Sequence, residues 1–167
     1  MKNHCFELTI PTPDGEFTAR YSENGLAELN FPVRRASSRA AKPNGIPAQI
    51  ANWHCTTGAS LKKILNGTEP ENLPPLDWNG ATEFQKSVWR QMQKIALGKT
   101  KSYGEIAQAI GKPKAIRAVG GACGANPIPV LVPCHRVLAA NKKLGGFSGG
   151  LDWKRKLLAR EGIKCSV

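Results

Sequence analysis

Apolar and polar residues alternate along three short runs at the start of the chain, residues 5–10, 16–21 and 26–31. A Pro-Asp-Gly turn at 13–15 separates the first two runs, and Asn-Gly at 24–25 separates the last two. Alternation with a period of two places one face of each strand against a core. The pattern therefore predicts a small antiparallel meander of three strands.

The segment between Pro47 and Gly67 has its apolar positions at helical spacing. Pro47 suits the first position of a helix, and Gly67 is placed to end it. Residues 34–46 before this helix predict a surface loop, and residues 68–80 after it contain three prolines and predict a linker. The inward-facing positions of the helix are Ile50, Trp53, Thr57, Leu61, Ile64 and Leu65.

Two capping-box patterns, at 82–85 and 102–105, begin helices in the second half of the chain. Gly98 is placed to end the first helix, and a turn at 111–114 separates the second from a helix at 115–124. Helix, short turn and helix form the outline of a helix-turn-helix. The inward positions of the first two helices are Phe84, Val88, Gln91, Met92, Ile95, Ile106, Ala107 and Ile110.

A last helix is expected at residues 151–160, followed by Gly162. Together the patterns predict a mixed α/β protein. Residues 1–77 form a small N-terminal domain of antiparallel sheet plus helix. Residues 78–167 form a mostly helical C-terminal domain that contains the helix-turn-helix.

The net charge of +12 lies entirely in the second half of the chain. Residues 1–80 carry eight Lys and Arg against eight Asp and Glu, whereas residues 81–167 carry sixteen against four. A solvated basic surface and a surface that meets a polyanion explain this charge equally well. The motifs of the second half favour DNA as the polyanion.

The five cysteines are odd in number and irregularly spaced, which predicts reduced thiols rather than a disulfide framework. No apolar run is long enough for a membrane span, and the N-terminus lacks the apolar core of a signal peptide. We therefore expect a cytoplasmic or nuclear protein with no membrane partner.

A Pro-Cys-His-Arg motif at 133–136 follows an apolar run at 128–132, which predicts a short buried segment that leads a cysteine into a protected place. The backbone of a glycine-rich loop at 145–150 can approach a flat ligand closely. Arg117 is the single arginine among the small residues of 115–122, a composition that fits the minor groove better than the major groove. A buried thiol, a slot for a planar group and a nucleic-acid-binding element indicate chemistry on a base.

Three stretches resemble the O6-alkylguanine-DNA alkyltransferases: Val-Pro-Cys-His-Arg-Val at 132–137, Arg-Ala-Val-Gly-Gly-Ala at 117–122, and Asn-Pro at 126–127. The resemblance is close over residues 82–162 and extends to the N-terminal half only in size and strand pattern. It implies DNA repair by irreversible transfer of an alkyl group from guanine O6 to Cys134, with methyl as the first candidate. Each protein molecule would act once. The implied partner is double-stranded DNA containing O6-alkylguanine, with O4-methylthymine a second candidate substrate. The implied protein is a monomer without a cofactor.

The resemblance also assigns catalytic roles. Cys134 and His135 are neighbours, and an extended backbone would point them to opposite faces, so a bridging water is the simplest relay. Glu161 is then the carboxylate behind His135, and we expect the relay to lower the cysteine pKa from its ordinary value of about 8.5. Tyr103 pushes the target phosphate outwards and donates a proton to guanine N3. Asn126 anchors the turn that carries the cysteine.

The helix at 115–124 is implied to enter the minor groove, with Arg117 taking the place of the extruded base. Base flipping is needed because the O6 atom of a paired guanine cannot reach a buried thiol. The further expected DNA contacts are Tyr103, Gly104, Lys112 and Ala118.

The alkylguanine pocket is expected to contain Val137, Phe147, Ser148 and Gly149. Phe147 would stack on or wall the purine, at a position where the family often has tyrosine. The Ser148 amide would meet O6, and the carbonyls of Cys134 and Val137 would accept from the exocyclic amine. Arg136 is expected to be structural or to lie on the phosphate side.

Simpler interpretations remain open on the residues alone. The small-residue helix could serve tight helix packing, Tyr103 could be a core aromatic, Asn126 a helix C-cap and Cys134 an inert buried thiol. Among other functional classes, a non-catalytic alkyltransferase-like protein would lack the cysteine, and a transcriptional activator domain would need its own zinc cysteines. A cysteine hydrolase would turn over. His-Cys pairs at 4–5 and 54–55 are poor zinc ligands because neighbouring side chains diverge, so no metal site is predicted.

Overall fold

The computed structural model describes residues 5–33 and 45–164, so most of the predicted surface loop lies outside the described residues. The N-terminal sheet contains β1 (Phe6–Thr12), β2 (Gly15–Ser22) and β3 (Gly25–Asn30), paired antiparallel in that order. The predicted meander is therefore confirmed. Along β2, Phe17, Ala19 and Tyr21 are buried on the face that meets the core.

Helix α1 (Ala48–Leu65) covers the sheet. Pro47 is its N-cap and not the first position that the sequence predicted, because the helix begins one residue later. Gly67 follows the helix end with a φ of 71°, a conformation that favours glycine. The linker is not detached from the sheet. The Leu26 amide donates to the Pro75 carbonyl at 2.8 Å, and the Asp77 amide donates to the Leu26 carbonyl at 2.8 Å.

Up to residue 164, the second half contains four α-helices and one short parallel strand pair. These elements are α2 (Glu83–Gln93), β4 (Lys101–Ser102), α3 (Tyr103–Ala109), α4 (Ile116–Gly124), β5 (Val137–Leu138) and α5 (Leu151–Arg160). Both predicted capping boxes are present, at the starts of α2 and α3. Gly98 does not end α2, because the helix stops at Gln93 and Gly98 lies in the turn that follows.

One continuous cluster of buried residues joins the two halves, including Phe17 and Leu26 from the sheet and Met92 and Leu157 from the helices. The mixed α/β class is confirmed. The predicted boundary between residues 77 and 78 stays a prediction, which limited proteolysis can test. Within the described ranges, no helix combines the length and the apolar composition that a membrane crossing requires.

Candidate active site

The segment that leads to Cys134 is buried throughout, from Ile128 to Leu138. It is a tight turn rather than a strand, since Pro129 and Val132 form an isolated bridge and Val130 has a φ of 74°. A β-branched residue in this region stores about 1–3 kcal/mol of strain. The surrounding contacts must therefore hold the turn in place.

Asn126 provides two of those contacts. Its Nδ2 donates to the Val132 carbonyl at 2.9 Å, and its Oδ1 accepts from the Ile128 amide at 3.1 Å. The Asn126 side chain also acts to lower the Cys134 pKa, although burial has the larger and opposite effect. The predicted anchoring role agrees with this geometry, and Asn126 follows α4 without being its C-cap, which is Ala125.

Cys134 and His135 lie in a single 3₁₀ turn, Cys134–Arg136, not in the extended backbone that the sequence suggested. The turn directs the His135 ring to Glu161, with 2.8 Å between Nε2 and Oε1. His135 is fully buried, and the Glu161 side chain is 1% exposed. The predicted histidine–carboxylate pair is therefore formed across 26 residues of chain.

Arg136 shares the same carboxylate. Its Nε donates to one Glu161 oxygen at 2.9 Å and its Nη2 donates to the other at 3.0 Å, while Nη1 donates to the Ile95 carbonyl at 2.6 Å. Burial alone would raise the Glu161 pKa, but hydrogen bonds from His135 and Arg136 hold that pKa below its ordinary value. Arg136 is thus structural and is too buried to lie on the phosphate side.

The protonation states follow from burial. Burial lowers the pKa of His135 below its ordinary value of 6.5, so the ring is neutral near pH 7. A neutral ring that donates from Nε2 to Glu161 leaves Nδ1 as an acceptor. Nδ1 is buried and has no hydrogen-bond partner among the described residues.

Burial raises the pKa of the Cys134 thiol to about 11, against the predicted lowering. The cause is desolvation of a side chain in a residue only 4% exposed. Asn126 and the charge of Lys154 favour the thiolate without overcoming this penalty. Cys134 is therefore a neutral thiol near pH 7, and it would have to lose its proton to act as a nucleophile.

Tyr103 is the first residue of α3 and lies against the glycine-rich loop. A Cβ added at Gly145 would be 2.7 Å from the Tyr103 hydroxyl, so the loop can approach this closely only with glycine. Burial is the main cause that raises the Tyr103 pKa above its ordinary value. The phenol therefore stays protonated and can donate a hydrogen bond.

The rest of the loop packs against the N-terminal sheet. The Phe147 and Phe31 rings meet edge to face at 5.7 Å, and a Cβ at Gly149 would lie 2.4 Å from the Phe31 ring. The ring centroids of Phe31 and of Trp153 in α5 are 4.9 Å apart. Beside the loop lies a cavity of about 590 Å³ whose lining includes Ser148, Gly149, Asn126, Pro129, Phe31 and Trp153.

Helix α4 presents a smooth exposed face. Arg117, Ala118 and Gly121 are exposed, whereas Val119 points into the core. Outside the helix backbone, a Cβ built at Gly120 or Gly121 would meet no described atom within 4 Å. Helix packing therefore does not explain the two glycines, and a flat surface is left for a ligand.

A family model described as "6-O-methylguanine DNA methyltransferase, DNA binding domain" matches residues 83–163. The structure also aligns with the crystal structure of Mycobacterium tuberculosis O6-methylguanine methyltransferase, at a TM-score of 0.72 and 36% identity, over 95% of this chain and 93% of that chain. The chain belongs to the O6-methylguanine-DNA methyltransferase family.

Two further relatives agree. A methylated-DNA–protein-cysteine methyltransferase of Mycolicibacterium paratuberculosis is 59% identical over 86 residues, 52% of this chain and 52% of that protein. Mycobacterium tuberculosis OGT in complex with DNA aligns at a TM-score of 0.72 and 36% identity, over 93% of this chain and 92% of that chain. In sequence, the chain spans about half the length of the curated relatives it matches.

Lys154 is a residue of this methyltransferase-family site that the sequence interpretation missed. It is fully buried, and its Nζ donates to the carbonyls of Val137 at 2.8 Å, Gly146 at 3.3 Å and Leu144. The lysine thus ties the glycine-rich loop to the cysteine turn, and it occupies one lone pair of the Val137 carbonyl that was assigned to guanine. The only sequence signal for its burial is its helical position, three residues after Leu151. Because lysine is rarely buried, the sequence alone predicts that Lys154 is exposed to solvent.

No group of three or more His, Cys, Asp or Glu side chains placed to hold a metal ion occurs in residues 5–33 and 45–164. In the second His-Cys pair, His54 Nδ1 lies 3.1 Å from the Tyr21 hydroxyl. Cys55 is exposed beside it. His4, of the first pair, lies outside the described residues.

Proposed function

We propose that the protein repairs DNA by transferring the alkyl group of O6-alkylguanine to the Sγ atom of Cys134. The buried Cys134 thiol, followed by a histidine held on a buried carboxylate, is the observation that carries the proposal. The carbon–O6 bond breaks as the S–C bond forms, so the products are guanine and an S-alkylcysteine. No group near Cys134 is suited to hydrolyse a thioether, so each molecule acts once as a methylated-DNA–[protein]-cysteine methyltransferase.

The proton of the thiol travels through a water to Nδ1 of His135. This route suits a neutral ring whose buried Nδ1 has no partner among the described residues. Glu161 keeps the tautomer and stabilises the imidazolium that forms, as a carboxylate does behind other activating histidines. As the carbon–O6 bond breaks, the Tyr103 hydroxyl donates a proton to guanine N3, so the base that leaves is neutral guanine. The proton held by His135 then restores the phenol.

The guanine binds beside Tyr103 and the glycine-rich loop. Phe147 walls the purine, the Ser148 amide meets O6, and Gly149 allows the close approach to Phe31 that sets the loop position. Val137 contributes from the cysteine side. The adjoining cavity gives an O6 substituent larger than methyl room to extend.

Double-stranded DNA binds along α4, with its minor groove against the smooth face. Arg117 fills the stack that the flipped base leaves. Gly104 and Ala118 allow close approach, and Lys112, exposed in the preceding turn, meets a phosphate. The protein acts on DNA as a monomer.

Mass spectrometry of the protein after incubation with O6-methylguanine duplex DNA tests the function. We expect a gain of one methylene unit, at most one per molecule, on the peptide that contains Cys134. Cys134→Ala should abolish the gain and keep DNA binding, and duplexes with O4-methylthymine test the second substrate. Sustained turnover, or methyl on Cys5, Cys55, Cys123 or Cys165, would contradict the proposal.

A further inference from the structure

Ile116 is an exposed aliphatic side chain at the first position of α4. It is 48% exposed, and within residues 5–33 and 45–164 only Val33 and Leu151 are comparable large apolar residues. Exposing an apolar side chain of this size forgoes part of the stabilisation that its burial would give. This exposure lies next to Arg117, on the surface proposed to meet DNA.

Ile116 protrudes from a surface whose neighbouring residues are small. Its Cδ1 would lie 3.9 Å from a Cβ at Gly104, so the side chain reaches across to the start of α3. Gly120, one turn further along the same side of α4, would find no described atom within 4 Å of a Cβ. Glycine on both sides leaves the branched side chain standing above its surroundings.

Resting on the proposed function, we propose that Ile116 is an apolar wedge that enters the minor groove and unstacks the base step beside the flipped guanine. Isoleucine is one of the side chains that minor-groove proteins insert between base steps. The exposed Lys112 and Lys114 in the preceding turn bring the phosphates close enough for the wedge to reach the bases. Arg117 holds the vacated position, and Ile116 loosens its neighbour.

Ile116 affects the unstacking of the DNA bases and not the alkyl transfer to the Cys134 thiol. Opening the adjacent step lowers the free energy needed to extrude the damaged base. Ile116 is therefore a positioning residue for duplex DNA only. Reaction with free O6-benzylguanine, which requires no flipping, should not depend on it.

Two measurements test the proposal on the full chain. The first is the fluorescence of 2-aminopurine placed beside O6-methylguanine in a duplex, which rises when the step unstacks. The second is the single-turnover rate on that duplex and on free O6-benzylguanine. Ile116→Ala should weaken the fluorescence rise and slow duplex repair by about tenfold, with the free-base rate unchanged.

Matched variants separate a wedge from a packing residue. Ile116→Met should keep wild-type behaviour, whereas Ile116→Thr, which keeps the branched shape but adds a hydroxyl, should behave like Ile116→Ala. Leu151→Ala removes a similarly exposed side chain at the start of α5 and should change neither rate. Arg117→Ala should also slow duplex repair far more than the free-base reaction.

Wild-type fluorescence and duplex rate in both Ile116→Ala and Ile116→Thr would overturn the wedge while leaving the proposed function intact. Equal losses on duplex and free base would also overturn it, because they would assign Ile116 to the fold or the pocket. Failure of the wild-type protein to take up methyl from DNA would instead overturn the proposed function.

Discussion

At the residue scale, the site depends on how one buried carboxylate is shared. Glu161 accepts from His135 and from Arg136, so the neutral form of His135 leaves the cluster without net charge. Removing Glu161 would leave Arg136 buried and uncompensated, which costs about 3–5 kcal/mol. A loss of activity in Glu161→Gln can therefore reflect stability as well as proton transfer.

His135→Asn separates the two effects because it leaves the Arg136–Glu161 pair intact. We expect alkyl transfer to slow by about 10²–10⁴-fold, the usual size of a positioned acid–base contribution. Glu161→Gln, measured in folded protein, should fall in the same range, and the double variant should be little worse than the worse single one. Asp152→Asn changes an exposed acid of α5 and should leave the rate unchanged.

The pH dependence of the single-turnover rate tests whether neutral His135 accepts the thiol proton. In the proposed relay, His135 must be neutral to accept the thiol proton, and burial holds its pKa below 6.5. The wild-type rate should therefore rise as pH increases through that lowered pKa and change little just above 6.5. A wild-type rate with an unchanged profile in Glu161→Gln would remove Glu161 from the mechanism.

At the scale of the element, α4 carries two interior glycines that the fold does not need. Gly120→Ala and Gly121→Ala should each stabilise the protein by up to about 1 kcal/mol. Alanine has the higher helix propensity, and outside the helix backbone no described atom lies within 4 Å of the added Cβ. The same methyl groups would hold the minor groove away from the helix. We expect higher urea midpoints together with weaker binding to duplex DNA.

Gly58→Ala in α1 is the matched control for the α4 glycines. Its added Cβ would make an ordinary contact at 3.7 Å with Ile10, so it should also stabilise the helix. Gly58 belongs to the helix that covers the N-terminal sheet and not to α4, so its replacement should leave DNA binding unchanged. If the α4 variants were stabilised without any loss of binding, the minor groove would not lie on this face.

At the scale of the whole molecule, the first β-hairpin is tied to the last helix by Asp14. Its carboxylate accepts from Arg160 at 2.6 and 2.9 Å and from Lys156 at 2.6 Å. The hydrogen bond from Arg160 is the main reason that the Asp14 pKa falls to about 2. The contact joins the sheet that supports Phe31 to the helix that supplies Lys154.

Asp14→Asn should lower the free energy of unfolding by about 1 kcal/mol at neutral pH, because the partners of Asp14 are partly exposed. A lowered folded-state pKa gives stability that is present above the ordinary value of 3.8 and is lost as pH falls towards about 2. The difference in free energy of unfolding between Asp14→Asn and wild type should therefore disappear as pH falls from 3.8 towards about 2. The same difference should become smaller in high salt.

Urea midpoints at several pH values measure the Asp14 effect. Glu28→Gln is the control, since the Arg20–Glu28 pair is at the surface, with side chains 44% and 34% exposed. We expect Glu28→Gln to change stability by less than about 0.5 kcal/mol. A gap for Asp14→Asn that stayed constant down to pH 2 would show that the charge of Asp14 is not what stabilises the contact.

The elements of this chain were determined by signals that act over a few residues. The capping boxes at 82–85 and 102–105 and the alternation of 16–21 each depend on neighbouring backbone groups, so local sequence was sufficient. The end of α2 was misplaced because Gly98 ends a turn beyond the helix. The Pro-Cys-His-Arg motif at 133–136 identified the family because such a run of residue types is specific by itself.

Tertiary structure alone decided the state of the site. The raised pKa of Cys134 comes from desolvation, which depends on all the elements packed around it and not on adjacent residues. The turn at 134–136, the sharing of Glu161 with Arg136 and the burial of Lys154 are likewise set by long-range contacts. Local sequence names the groups that can react, but burial and distant partners set their charge and direction.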